Sequence, residues 1–372
     1  MRIVFVAWRD LANPLAGGSE ILVDRLAGGL TDRGHQVDLL CGGPADHRRY
    51  PVTITGGTYT QFVGAPLRYL RSHQRSDLVV EVANGMPFFS PLWRRGPTLC
   101  LVNHVHLDMW KMWFPPVLAA VGRVVEGWAL PAVHRHRRFV AVSASTVDGL
   151  VGLGVGKDRI RVVHNGVDLP PQPAAKSPEP LFLAMGRLVP HKRFDLLLRL
   201  WEVVRPITGG RLVVAGEGPD HERLQAMAGT DAYLPGRVSE EAKDELLGSA
   251  WLLLHPAQFE GWGLVVMEAA AHRTPTVGFD VAGVRDSVVD GHSGALAATE
   301  EEFVRAWVEL AGDQVARQLL GDQARDRAAR FSWSATVERF AEVMEEVVAT
   351  SVRTRETGPT TARRSRTRAD TA

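Results

Sequence analysis

Pro170-Pro171-Gln172-Pro173-Ala174-Ala175-Lys176-Ser177-Pro178-Glu179-Pro180 divides the chain. Five of these eleven residues are prolines. Each fixes φ and withholds a backbone donor, so neither a helix nor an inner strand can run through the stretch. It predicts a stiff, extended linker over 170–180. Directly after it stands Leu181-Phe182-Leu183-Ala184-Met185, a continuous apolar run of the kind a parallel strand shows when both faces are covered. The chain opens on the same signal, Ile3-Val4-Phe5-Val6-Ala7.

Working outward, each side of the linker alternates strand and helix. Before it, Val37–Leu40, Leu78–Val82, Thr98–Val102 and Phe139–Val142 read as strands. A helix with Ile21, Leu22, Leu26 and Leu30 on one face stops at Gly34. After the linker, Leu212–Ala215 and Trp251–Leu254 continue the rhythm. Strands alternating with helices make an α/β fold with mainly parallel sheets. The expected organisation is two Rossmann-like domains facing across a cleft. They comprise residues 1–169, the linker 170–180, and 181–333. A helix over 334–348 completes the first domain, and 351–372 forms a disordered basic tail.

At 372 residues the chain is long for one core and ample for two. Apolar residues make up 45%, and 43 basic side chains face 42 acidic ones, so the overall charge calls for no nucleic-acid partner. Cys41 and Cys100 lack metal-ligand spacing and read as buried, reduced thiols. The apolar region Val117–Val133 is broken by Arg123 and Glu126 and is a poor candidate for a membrane span. With no secretory signal visible, the expected location is the cytoplasm.

Three motifs carry chemistry. Gly17-Gly18-Ser19-Glu20 precedes a helix, where bare backbone approaches a ligand closely and unpaired N–H groups favour an anion; a plain turn explains it equally well. Gly186-Arg187-Leu188-Val189-Pro190-His191-Lys192 leaves a strand's C-terminal end, where open α/β sheets bind ligands. Two cations there suit a diphosphate, against the bland reading of two solvated charges. Phe259-Glu260-Gly261-Trp262-Gly263-Leu264-Val265-Val266-Met267-Glu268 sets one carboxylate in a glycine-rich loop and one in the first turn of the next helix. The loop carboxylate is placed to accept from sugar hydroxyls, and the helical one from a vicinal diol such as ribose. The plain alternative is that Glu268 complements the helix dipole.

In their order and spacing these motifs resemble the family 4 (group 1) retaining glycosyltransferases of the GT-B fold. The resemblance runs from Met1 to about Val348. It also takes in Val163-His164-Asn165-Gly166-Val167-Asp168, Gly216-Glu217-Gly218-Pro219 and Asp290-Gly291-His292-Ser293-Gly294. It implies that Arg187 and Lys192 bind the donor diphosphate as leaving group, Glu260 the transferred sugar and Glu268 the ribose. Backbone near Arg237 and Val238 would meet the base, Gly263 and Leu264 belong to the donor loop, and Gly17 and Gly18 let the first domain close over the diphosphate. A histidine at a first-domain strand end would lie near the sugar. The family position falls on Asn103 or His104, with His104 preferred and His106 second.

The chemistry this implies is metal-independent transfer of a hexose-type sugar, with retention, from a nucleotide-diphosphate sugar to an acceptor hydroxyl. No Asp-x-Asp pattern occurs to bridge a metal, and no separate cofactor is expected. The product would belong to glycolipid, cell-envelope polysaccharide or glycoconjugate synthesis. Met109-Trp110-Lys111-Met112-Trp113-Phe114-Pro115-Pro116 and the basic run Arg135-His136-Arg137-Arg138 raise a lipid-linked acceptor and a peripheral membrane contact, against a buried helix cap and a solvated helix end. Two other classes stand beside this reading. One is a sugar-nucleotide epimerase or phosphorylase of the same fold. The other is a non-catalytic nucleotide-sugar-binding module, which the intact set Arg187, Lys192, Glu260 and Glu268 argues against.

Overall fold

The computed structural model describes residues 1–172 and 174–356. Two all-parallel sheets form the frame. The first contains β1 (Arg2–Arg9), β2 (Gln36–Gly42), β3 (Val52–Gly56), β4 (Leu78–Val82), β5 (Thr98–Val102), β6 (Arg138–Ala141) and β7 (Ile160–Val162). Their order is β3-β2-β1-β4-β5-β6-β7. The second contains β8 (Leu181–Met185), β9 (Arg211–Ala215), β10 (Ala232–Gly236), β11 (Leu252–His255), β12 (Thr276–Phe279) and β13 (Gly294–Ala297), ordered β10-β9-β8-β11-β12-β13. Central registers such as Ile3 against both Val37 and Leu78 set each strand between two neighbours. That explains the unbroken apolar runs: all five residues of β4, β5 and β8 are buried. The fold is therefore α/β with two Rossmann-like domains, as the strand rhythm predicts.

Each sheet packs helices on both faces. In the second domain Phe182, Trp201 and Trp307 interlock, with Trp201 and Trp307 stacked at 5.6 Å. In the first, Phe5, Leu26 and Leu30 pack against Phe340 and Met344 of the last helix, Trp333–Glu356. Phe340 is fully buried and stacks on Phe5 at 6.1 Å. The last helix thus lies on the first domain. The chain crosses back where the Val167 amide bonds the Phe331 carbonyl at 2.8 Å. Gly166 allows that crossing, since a Cβ there would overlap the Trp333 backbone.

Two boundaries differ from the sequence reading. The last helix continues through Glu356, so a tail beginning at 351 is corrected by six helical residues, a stretch whose sequence, Ser-Val-Arg-Thr-Arg-Glu, carries no apolar pattern that would announce a helix. The rest of the expected tail, 357–372, lies outside the described residues. The described residues of the 170–180 stretch form neither helix nor strand, yet the stretch is tethered. Lys176 Nζ donates to the Ala250 carbonyl at 2.9 Å and to Thr274 Oγ1 at 2.5 Å, and the Ser177 amide to Ser249 at 2.9 Å. Both cysteines are buried and unbridged, and burial pushes the Cys41 thiol up to about 12.

Candidate active site

Strand order reverses between β1 and β4 in one sheet and between β8 and β11 in the other. A crevice opens at each such point, outside the carboxyl ends of the strands. The loops leaving these ends are Leu15–Gly18 and Asn84–Gly85 on one side, and Gly186–Lys192 and Gln258–Gly263 on the other. Across the gap between them Arg187 Nη1 donates to the Leu15 carbonyl at 3.2 Å. The Asn103 carbonyl lies so near Gly261 that a Cβ there would come within 2.6 Å of it.

On the second-domain side, β8 ends at Gly186, whose φ of +150° suits glycine, and delivers Arg187 into the crevice. A short turn over Pro190–Lys192 then brings Lys192 Nζ onto Glu260 Oε2. The two side chains are only 14% and 17% exposed. His255 Nε2, at the end of β11, reaches the same carboxylate oxygen at 3.2 Å, and the Gly261 amide donates to the other at 3.2 Å. Burial alone would raise the Glu260 carboxyl, but Lys192 and His255 outweigh it and hold the group well below the usual carboxylate range. Burial likewise keeps the His255 ring neutral, below its ordinary value. His191 is 5% exposed, and burial, Lys192 and Arg187 push its ring down to about 3.

On the first-domain side, the Gly17 amide donates to Glu20 Oε2 at 2.8 Å and opens the helix Gly18–Asp32. Gly17 and Gly18 stand close against the other domain. A Cβ on Gly17 would sit 3.2 Å from Arg187 Nε, and one on Gly18 would sit 3.1 Å from Leu264 Cδ1. Ser19 Oγ accepts from Asn84 Nδ2 at 2.6 Å and Asn103 Nδ2 at 3.1 Å, so Asn103 faces the glycine loop. His104 is the residue turned toward the Lys192–Glu260 side. It stacks on His106 at 3.9 Å, and burial followed by the His106 charge pushes its ring well below the usual histidine value. The His106 amide donates to Glu126 Oε1 at 2.6 Å, which fixes the backbone behind this ring pair.

Residues 16–170 match the Glycosyltransferase Family 4 family, and residues 168–327 match Glycosyl transferases group 1. The chain belongs to the family 4, group 1 glycosyltransferases. It is 29% identical to the D-inositol 3-phosphate glycosyltransferase of Nocardia farcinica, over 88% of this chain and 84% of that one. Among solved structures it resembles the sucrose-phosphate synthase of Thermosynechococcus elongatus, with TM-score 0.80 and 17% identity over 94% and 100% of the two chains. It also resembles Anabaena HepE in complex with UDP and glucose, with TM-score 0.76 and 16% identity over 93% and 100%. These two likenesses show the shared GT-B architecture.

In this glycosyltransferase the structure gathers Arg187, Lys192, Glu260, His104, Gly17, Gly18 and Leu264 around one crevice. Gly263, at φ +78°, turns the chain into the helix Leu264–Ala271. One expectation changes. Glu268 is the fifth residue of that helix and not in its first turn, because the left-handed Gly263 delays the helix start. Its carboxylate is held by Lys243 Nζ at 3.2 Å. Beyond β10, the Arg237 side chain is exposed and that of Val238 packs into the second-domain core. Next to them in the chain, Leu234, Pro235 and Gly236 line a cavity of about 490 Å³ together with Pro14, Leu15 and Gly218. Sequence reasoning gave no role to His191, His255 or the Ser19–Asn84–Asn103 cluster. Only the position of His191 beside Lys192 signalled anything; the others meet through tertiary packing.

Proposed function

We propose that the enzyme moves a hexose-type sugar from a nucleotide-diphosphate sugar to an acceptor hydroxyl, with retention and without a metal ion. The observation that carries this reading is the charge arrangement at the end of β8. Arg187 forms no ion pair among the described residues, and it shares the Leu15 carbonyl with Arg9, which donates to it at 2.7 Å. Two guanidiniums converging on one neutral oxygen favour a bound anion, and the planar fork suits diphosphate oxygens. Arg9 already feels the crowding: burial lowers it first, and Arg187 adds to the effect against the opposing pull of Glu20.

Cleaving the anomeric C–O bond leaves negative charge on the diphosphate, which Arg187 and Lys192 stand ready to stabilise without reorganising. Glu260, ionised and acceptor-only, takes hydroxyls of the transferred sugar. His104, neutral, flanks the sugar from the other domain. The cavity between Leu15 and Gly236 is of a size for the base, and Glu268 beyond it takes the ribose. The name of the Nocardia farcinica relative supports glycosyl transfer, and the UDP and glucose bound to Anabaena HepE support a nucleotide-sugar donor. Work on glycolipid or envelope precursors at the cytoplasmic side of a membrane agrees with this reading.

A thermal-shift series over UDP-, GDP- and ADP-sugars tests the donor, since a ligand that binds only the native state raises its apparent stability. One nucleotide series should raise Tm, and turnover with that donor should persist in EDTA. No shift with any of them sinks the donor assignment. Turnover abolished by EDTA and restored by Mg²⁺ sinks the metal-free part.

A further inference from the structure

The segment after the histidine loop turns its apolar face the wrong way for a soluble protein. Pro116–Val124 is helical, Val125–Ala129 is a π-helical turn and Leu130–Val133 is helical again, giving eighteen continuous residues of mean hydropathy 1.3. Val117, Val121, Val124 and Trp128 recur at spacings of four, three and four, which is one face of a helix, and all point outward. Val117 is 76% exposed and Trp128 70%. The inward face carries the small and polar groups. Gly122 leaves room for the Trp110 ring, and Glu126 accepts from Trp110 Nε1 at 2.9 Å as well as from the His106 amide. Single exposed apolar residues need no explanation, but a continuous stripe marks an interaction surface.

We propose that this stripe docks on an anionic lipid bilayer, lying in the interface with the helix parallel to the surface. The inner face is bonded into the fold through Glu126 and Gly122, so the segment cannot leave to span a membrane without stranding a buried carboxylate. Charge selects lipid over a second copy of this chain. Residues 107–138 hold five cations against two acids. Of those acids, Glu126 is buried and Asp108 is paired with Arg123 at 3.7 Å. Lys111 and Arg135 remain exposed, at the two ends of the stripe. Two copies meeting by a two-fold axis would oppose these cations to themselves, whereas anionic headgroups pair with them. Apolar face, flanking cations and an exposed tryptophan are what an interfacial helix requires.

The docking also has a direction. Trp113, just before the stripe, meets His191 of the other domain edge-on at 5.9 Å, next to Lys192. A bilayer under the stripe therefore stands at the first-domain rim of the crevice and offers acceptor hydroxyls carried on lipid at headgroup depth. This acceptor consequence rests on the proposed function; the docking does not.

The test is flotation with extruded vesicles of 1:1 phosphatidylglycerol and phosphatidylcholine against phosphatidylcholine alone, with no donor present. The wild-type chain should bind the anionic vesicles, less so as salt rises. Val121→Glu combined with Trp128→Glu should weaken binding by about tenfold or more, from the lost apolar burial and the added like charge. The donor-induced Tm shift of that variant should remain, which shows that it is folded and separates this test from the donor assignment. Wild-type protein that floats with neither vesicle, or a variant that binds as wild type does, overturns the proposal. So does a dimer that the variant dissolves in the absence of vesicle binding, which would assign the stripe to a second copy.

Discussion

Lys192, Glu260 and Glu268 are all charged residues held by a partner, yet they answer to different steps of the reaction. Lys192 meets diphosphate charge that is greatest in the transition state. Lys192→Ala should lower kcat by about 10²-fold or more, as loss of one preorganised oxyanion donor does, and should raise the donor KM less. Glu268 makes contacts that hardly change during reaction, so Glu268→Ala should mainly raise the donor KM. Folding should barely notice that second change, because Lys243 keeps Glu240 at 2.5 Å as a partner. A stability loss of about 1 kcal/mol is expected for this partly exposed pair, 19% and 26% accessible. Steady-state kinetics on folded variants decides: if Lys192→Ala keeps its kcat while Glu268→Ala loses its own, the roles are reversed. His191 offers a pH test. Burial and the neighbouring cations hold its ring at about 3, against about 6.5 in an unfolded chain. Between these values the unfolded state binds the proton and the native state does not. Stability therefore falls as pH drops from about 6.5 toward 3, by up to about 1.4 kcal/mol per unit for this one group. Buried His104 and His255 act in the same sense. His191→Asn should flatten the fall, read as urea midpoints at pH 7, 6 and 5; an unchanged slope rules the histidine out as a source of it.

At the scale of elements, what was legible depended on how each segment is buried. Strands covered on both faces announce themselves as apolar runs, and β1, β4, β5 and β8 were visible for that reason. Edge and near-edge strands do not. β3 is half-exposed throughout, β10 carries Pro235 and Gly236, and β13 is Gly-Ala-Leu-Ala, so none shows a pattern that separates it from loop. Within the site, Arg187, Lys192 and Glu260 could be read because each lies in a glycine-bearing loop that follows a strand. The Ser19–Asn84–Asn103 cluster could not, because residues 65 and 84 positions apart meet only after the sheet has formed. The donor loop owes its closeness to the first domain to one glycine. Gly261 has an ordinary φ, so alanine brings no backbone strain of its own, yet its Cβ would meet the Asn103 carbonyl at 2.6 Å. Gly261→Ala should therefore push Glu260 away from the β5 end and cut kcat/KM by about tenfold or more, since misplacement of about 1 Å can cost 10²-fold. Gly152→Ala, which meets nothing within 4 Å, is the matched control. Equal activity of the two variants would show that the cleft tolerates the displacement.

Across the whole molecule the contacts between domains are uneven. At the crevice mouth they are sparse: Arg187 with Leu15 at 3.2 Å, the Ser145 amide with Asp286 at 3.2 Å, and the edge of the exposed Trp113 on His191 at 5.9 Å. At the crossing end they are aromatic: Trp262 stacks on His164 at 4.5 Å and abuts Phe331 at 5.1 Å. Water competes readily for the first kind and not for the second. The mouth should therefore open in solution about a pivot at Trp262, and a donor that fills it should close it. Small-angle scattering should show a smaller radius of gyration with the correct nucleotide; an identical value with and without it contradicts a hinged cleft. The position of Phe340 against Phe5 has a further consequence, for biosynthesis. The two are 335 residues apart, so the ribosome delivers the first half of that contact long before the second. The second domain, continuous in sequence, can fold while still tethered to the ribosome. The first must wait with Leu26 and Leu30 uncovered until the final helix emerges. The nascent chain therefore passes through an interval in which the later-made domain is finished and the earlier-made one is still a client for chaperones.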